Sequence, residues 1–300
     1  MRSKIFVPLL AIALAAGSAV MTRAQQDPEE ETTRGAFLTS RPPVGGGGGT
    51  ATTKPRPRPT PKPTPKRNVK RTTPTNVKGE TPVVVVKNYD NSPIGLGYTL
   101  YMRNAVGDAM RVDPDRTFYA GDRIRLSMEA NTDGYLYVFH TENDGPPELI
   151  FPDARLNEGD NAIDAHVPYE VPSPFEASES LRWFTFDQKP ANERLYIVIT
   201  REPLPGIPVG DDLVDFCNKN PNSCPLKMSP GNWAKIKSSL NARVKVSKSK
   251  TYGQTQTSGE REATTRGLGL DQSAPEPSVV RMNVSSTDGL LVTALDLVHR

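Results

Sequence analysis

Cysteine is nearly absent from this chain: Cys217 and Cys224 are the only two in 300 residues. A zinc site built on them would need two more ligands close by, and the neighbouring sequence supplies none. Histidine is as scarce. His140, His166 and His299 show neither His-x-His nor His-Glu-x-x-His spacing, which excludes the usual metalloprotease helix. There is no Gly-x-Ser-x-Gly elbow to carry an activated serine. The one glycine run, Gly45 to Gly49, stands in a polar tail rather than between a strand and a helix, so it does not cradle phosphate. Carboxylates are the opposite case. With 20 Asp and Glu in residues 81–202, no single pair is specific enough to mark an acid–base couple. These absences exclude the common catalytic designs, and the chain reads as non-enzymatic, with no cofactor and no metal.

Long apolar runs are also missing after the first residues. Arg2 and Lys4 precede an apolar stretch from Ile5 to Ala16 that continues weakly to Met21, and Thr22-Arg23-Ala24 follows with small residues at cleavage spacing. Residues 1–24 read as a secretory signal peptide, with an uncleaved anchor as the alternative; the run is shorter than the roughly 20 residues a spanning helix needs. The mature chain is expected to be exported, periplasmic or extracellular, with no transmembrane segment. An oxidising compartment pairs Cys217 with Cys224 across an Asn/Pro loop, closing a ring that the chain-entropy model values at about 2.5 kcal/mol.

The formal charge of +3 conceals segregation. Residues 25–80 carry 11 Lys/Arg against 5 Asp/Glu, a net of +6, whereas 81–202 carry 11 against 20, a net of −9. The basic segment has no aromatic residue except Phe37, so base stacking is not available there and nucleic acid is not the expected partner. An envelope protein or an anionic glycan is.

Residues 25–80 have the composition of a disordered linker. The alternating prolines of Lys54 to Lys66 favour polyproline II and would reach about 40 Å over that stretch. From Thr81 to Glu202 the period changes to two. Val83–Val86, Tyr98–Arg103, Met110–Val112, Ile124–Ala130, Gly134–His140, Glu148–Phe151, Asn161–Val167, Leu181–Phe186 and Arg194–Arg201 are strand candidates separated by turn residues. Ile124, Leu126, Met128 and Ala130 alternate with Arg123, Arg125, Ser127 and Glu129, which predicts one dry face and one wet face. The fold class is mainly β, an antiparallel sandwich of jelly-roll or immunoglobulin-like type. Residues 203–250 form a helical excursion holding the disulfide loop: Asp211–Cys217 is one helix, and Ser229-Pro230 opens a second with Trp233, Ile236 and Leu240 on one face. Residues 251–278 read as loose, and 279–300 as strands that return to the sandwich.

Four stretches taken together carry a family resemblance: Phe118 to Leu126 (FYAGDRIRL), Gly134 to Val138 (GYLYV), Ile150-Phe151-Pro152, and Glu193 to Val198 (ERLYIV). In this ordered set the chain resembles the bacterial domain of unknown function numbered 4384, over roughly 100 to 120 residues. It departs from that pattern before Glu193, where a glycine is missing, and at Asp153, where asparagine is common. The resemblance implies a β-rich module with no established activity.

Three groups merit inspection as sites. Tyr135, Tyr137 and Phe139 share one strand face, either as core or as a platform on which sugar rings stack; they are the candidate binding surface. His140 with Glu142, and His166 after Asp164, would meet as ligands only if their strands were neighbours. Asp153, Asn157, Glu158, Asp160 and Asn161 form an oxygen-rich loop that lacks the alternation of a calcium hand. The resulting expectation is an exported, non-enzymatic binding or assembly module of the cell envelope. The alternative is a glycan-active or metal-dependent hydrolase with an unrecognised site.

Overall fold

Alternation in residues 123–130 does what its period requires: Ile124, Leu126, Met128 and Ala130 are all buried in one interior core. The computed structural model describes residues 27–44, 92–155, 157–240, 244–284 and 289–300. The expected signal peptide, the glycine run, the Lys/Pro tract and the Val83–Val86 strand lie outside the described residues.

The elements in chain order are α1 (Pro28–Thr39), β1 (Gly95–Arg103), β2 (Ala109–Arg111), β3 (Thr117–Phe118), β4 (Arg123–Ala130), β5 (Gly134–Glu142), β6 (Glu148–Phe151), β7 (Ala162–Ile163), β8 (Pro168–Val171), β9 (Phe184–Thr185) and β10 (Ala191–Thr200). There follow α2 (Asp211–Lys219), α3 (Pro230–Ser238), β11 (Val244–Lys248), α4 (Ser258–Arg266), β12 (Val279–Asn283) and β13 (Leu290–His299). A first sheet runs β11-β12-β1-β4-β8, with β2 beside β1 and β9 beside β4. A second runs β3-β13-β10-β5-β6, with β7 beside β5. All pairings are antiparallel except β3 with β13. Leu126 of the first sheet and Ile197 of the second belong to the same core, so the two sheets form a mainly β, sandwich-like body. The C-terminal strand does return: β13 pairs with β10 along its whole length, from Ala191 opposite His299 to Thr200 opposite Leu290.

Both outer faces are covered, the second sheet by the helical, disulfide-bearing excursion that the sequence predicts and the first by segments that it does not. The second sheet is covered by residues 203–240. Ser229 caps α3 by accepting from the Asn232 amide, Pro230 fills the first turn, and Trp233 and Ile236 land on Tyr137, Phe139 and Tyr196. The Leu204 amide donates to the Tyr137 hydroxyl at 2.9 Å, and Cys217 is bonded to Cys224 with 5.7 Å between their Cα atoms.

The first sheet is covered by chain that had the composition of a tail. Residues 28–39 were expected to be linker and instead form α1. Asp27 caps the helix, Pro28 occupies its first turn, and Glu29, Glu30 and Glu31 lie where the helix dipole favours negative charge. Phe37, fully buried, sits on β1 where glycine alternates. A Cβ on Gly97 would come within 2.6 Å of Pro277 and 2.9 Å of Phe37. Residues 251–278 were expected to be loose and instead contain α4, opened by a reciprocal capping box between Thr257 and Glu260. As a consequence the polar face of β4 is dry at Arg125 and Glu129, which are as buried as the core, while Arg123 remains partly exposed. Opposed charges make that burial tolerable.

Candidate functional site

At one end of the sandwich the two sheets part around a cavity of about 280 Å³. Its walls are apolar: Ile124 and Ile150, Phe184 and Phe186, Leu195 and Leu297. Its rim is not. The inward face of β5 runs from Leu136 and Val138 in the core to His140 and Glu142 at the mouth, because period two keeps all four on one side. On β10 the same face runs from Ile197 and Leu195 to Glu193. Glu193 stands directly opposite Glu142 in the antiparallel register, and His140 opposite Leu195. The His140 imidazole Nε2 bonds diagonally across the strands to Glu193 Oε2. From the loop that follows β9, Asp187 adds a third carboxylate. Glu142 and Asp187 are exposed and open the cavity to solvent. No lysine or arginine is among the described residues that line it.

Phe186 closes the inner wall, and behind it lies His299, with ring centroids 5.0 Å apart. His299 is fully buried, and neither ring nitrogen has a hydrogen-bond partner among the described residues.

A second polar cluster lies under the cover of the first sheet. Arg41, which follows α1, grips Glu129 with two bonds, Nε to Oε1 at 2.9 Å and Nη2 to Oε2 at 2.7 Å. It also donates to the carbonyls of Ala274 and Pro275. His166 Nδ1 meets Glu129 Oε1 at 2.8 Å, and its Nε2 meets the Ser40 hydroxyl at 3.1 Å. Beside this, Arg125 pairs with the fully buried Glu170 at 2.7 Å, and its guanidinium lies 4.2 Å from the centre of the Trp183 ring. Burial pushes the Glu170 carboxyl up against the opposing pull of Arg125, Gln256 and Thr264, and it lowers Arg125. Arg111 pairs with Glu260 of α4. Burial by itself would raise Glu260, but the Thr257 amide, Arg111 and the Thr257 and Tyr101 hydroxyls together hold it below the usual carboxylate range. Arg41–Glu129 and Arg111–Glu260 each clamp a strand of the sheet to a segment lying over it, whereas Arg125–Glu170 joins the neighbouring strands β4 and β8 and is reached from the cover by Gln256 and Thr264.

The candidate surface of Tyr135, Tyr137 and Phe139 is not an open platform. Tyr137 and Phe139 are fully buried and Tyr135 partly so, because Trp233 of α3 packs against the Phe139 ring at 5.7 Å between centroids. His140 and His166 do not meet, since one bonds Glu193 in the second sheet and the other Glu129 in the first. The oxygen-rich loop spends its groups locally. Asp153 pairs with Arg155, Asp160 accepts from the Ala162 amide, and the buried Asn161 donates to the Leu136 carbonyl. Among the described residues no three His, Cys, Asp or Glu side chains are placed to hold a metal ion. His140 and Glu142 are the sequence candidates that the structure brings together, and it adds Glu193, which the sequence marked only as the start of the ERLYIV stretch, and Asp187, whose only sequence signal was its charge.

Comparison with known families places residues 117–203, which run from β3 through β10, in agreement with the family model described as a domain of unknown function, DUF4384. The four stretches that carried the resemblance all fall within or at the edge of this segment. No curated protein and no solved structure matches the chain. No helix among the described residues is long and apolar enough to cross a membrane.

Proposed function

We propose that the protein is an exported, non-enzymatic binding and assembly module of the cell envelope that engages a protein partner through the mouth of its sandwich. The observation that carries this reading is the disposition of cover: both broad sheet faces are overlaid by the chain's own segments, while the apolar cavity between Phe186 and Leu297 faces solvent. Open apolar concavity with a few converging polar groups is the usual form of a recognition site. The disulfide suits an oxidising compartment. Three carboxylates at the rim favour a protein over an anionic glycan there. His140 is committed to Glu193, and among the described residues no hydroxyl or thiol is bonded to it, which supports binding over hydrolysis.

The test is retention of the purified mature chain on immobilised envelope proteins and, separately, on peptidoglycan. Thr185→Trp fills the mouth from an exposed position and is expected to abolish retention on the protein matrix, whereas deletion of residues 45–80 leaves it unchanged. Undiminished retention by Thr185→Trp, preferential retention on peptidoglycan, or hydrolysis of a glycan by the wild type would overturn the proposal.

A further inference from the structure

Depth orders the chemistry of the mouth. On β10, Leu195 lies on the cavity wall and Glu193, two residues nearer the strand end, on its rim; on β5, Val138 belongs to the core, and His140 and Glu142 follow at the opening. After β9, Phe186 is buried and Asp187 exposed. An entering group therefore passes carboxylates first and meets apolar side chains, Ile124, Phe186 and Leu297 among them, farther in. A charge driven inward would lose its water and find no partner, so the entering tip is apolar and a cation stays at the entrance.

The opening is also flanked by exposed aromatic rings. Among the described residues five large apolar side chains are exposed, Val44, Val106, Tyr119, Phe175 and Val284, and the two aromatic ones stand beside the mouth. Tyr119, 57% exposed, belongs to the turn whose Gly121 amide donates to the Phe186 carbonyl at 2.9 Å. Phe175, 49% exposed, precedes Glu176, whose carbonyl accepts from Arg182 Nε at the entry to β9. Exposed aromatics around a dry concavity are the composition of a protein interface. The cavity volume, about 280 Å³, falls just below the range of small-molecule pockets and suits one branched side chain.

Resting on the reading of the mouth as the recognition site, we infer that it takes an extended segment of a partner polypeptide in which an aliphatic side chain, leucine or isoleucine, is followed by lysine or arginine. The aliphatic group fills the cavity, and Tyr119 and Phe175 pack against the residues that flank it. The basic side chain stays in the opening, where Glu142 and Asp187 are exposed and no lysine or arginine is among the described lining residues. Glu142 and Glu193, directly opposite in register, repel one another, and a cation beside them relieves that repulsion. An acidic flank meets the same carboxylates unfavourably, as does an acyl chain headed by carboxylate or phosphate. Recognition involves no covalent step.

The measurement is a titration of the isotope-labelled mature chain with the blocked tetrapeptide acetyl-Gly-Leu-Lys-Gly-amide, followed through the backbone amide shifts of Ile124, Phe186 and Leu297. Saturable binding with a Kd of about 1 mM or tighter is expected, the weak range appropriate to one anchored side chain. Replacing the leucine of the peptide by serine should weaken binding at least about tenfold, the low end for withholding an aliphatic side chain from a dry pocket. Replacing its lysine by glutamate should weaken binding about fivefold, the upper end for one exposed charge pair. Tyr119→Ala and Phe175→Ala, at exposed positions that leave the fold in place, should each weaken the leucine–lysine peptide several-fold. The inference is overturned by equal binding of the serine peptide, by equal or tighter binding of the glutamate peptide, by unchanged affinity in both aromatic variants, or by no shift at about 10 mM, tenfold above that expectation. Should Thr185→Trp abolish envelope retention while the leucine–lysine peptide fails to bind, this inference falls and the mouth survives as the recognition site; should Thr185→Trp leave retention intact, the reading of the mouth itself falls.

Discussion

Arg41 Nη2 lies 2.7 Å from Glu129 Oε2, with both side chains almost wholly buried between the first sheet and the segments that cover it. The bond joins residues 88 positions apart in sequence. It therefore ties the segment that follows α1 to the C-terminal end of β4, and removing one partner would strand the other charge in a dry site. Arg41→Ala is expected to lower unfolding free energy by about 3–5 kcal/mol, the range for breaking a buried pair. Replacing both residues by apolar ones, Arg41→Met with Glu129→Leu, should recover most of that loss. Urea denaturation of the two variants checks it, and an equal loss in both would contradict the assignment.

Gly97 is the floor on which Phe37 rests. Gly97→Val should push α1 away from β1 and destabilise by about 1–3 kcal/mol, as overpacking does. Hydrogen exchange localises the effect: amides of residues 28–44 should lose protection while those of β5, β10 and β13 keep it. Uniform loss across both sheets would mean that the helix is not a separable cover.

Trp233→Ala removes the lid over Tyr137, Phe139 and Tyr196. A loss of about 3–5 kcal/mol is expected for deleting a buried indole, together with binding of a hydrophobic dye to the uncovered aromatic row. Stability within about 0.5 kcal/mol of wild type, the ordinary scatter of surface substitutions, would show that the excursion does not hold the sheet.

Glu170 supplies a prediction in pH. Its carboxyl is raised in the folded state chiefly by burial, so the folded protein holds that proton more tightly than the unfolded chain does. Its contribution is fully present below the ordinary carboxylate value of 4.5 and is lost as pH rises through the higher folded value. The Tm of wild type minus that of Glu170→Gln should therefore fall as pH is raised above 4.5. Glu260, held low in the fold, works in the opposite sense, so the difference between variants is the quantity to read. A difference that grows with pH would reverse the assignment.

Much of the sandwich was legible because each signal is local. The alternation of Ile124 to Ala130, the aromatic strand after Gly134, and the cap at Ser229 with Pro230 each require only neighbours in sequence. The two covering helices were readable by the same rules and were overshadowed by composition. Asp27-Pro28 followed by three glutamates, and Thr257-x-x-Glu260, are start signals, but each introduces a helix with few apolar residues, whose burial depends on Phe37, Arg41 and Ala263 meeting the sheet. The wet face expected for β4 failed for that reason: period reports which side a residue takes, and partners far away decide whether that side sees water. The mouth lies beyond local reading altogether. Glu142 and Glu193 become neighbours only through the register of β5 against β10, which no spacing along the chain encodes.

The matched stretch, residues 117–203, ends short of the strands that flank its own. β4 lies against β1, and β10 against β13, and both of those partners come from elsewhere in the chain. A fragment trimmed to the matched borders would leave raw hydrogen-bonding edges on β4 and β10 and apolar rows open to water, a recipe for clumping. The workable unit for expression, and for recognising kin by shape, extends from α1 through β13.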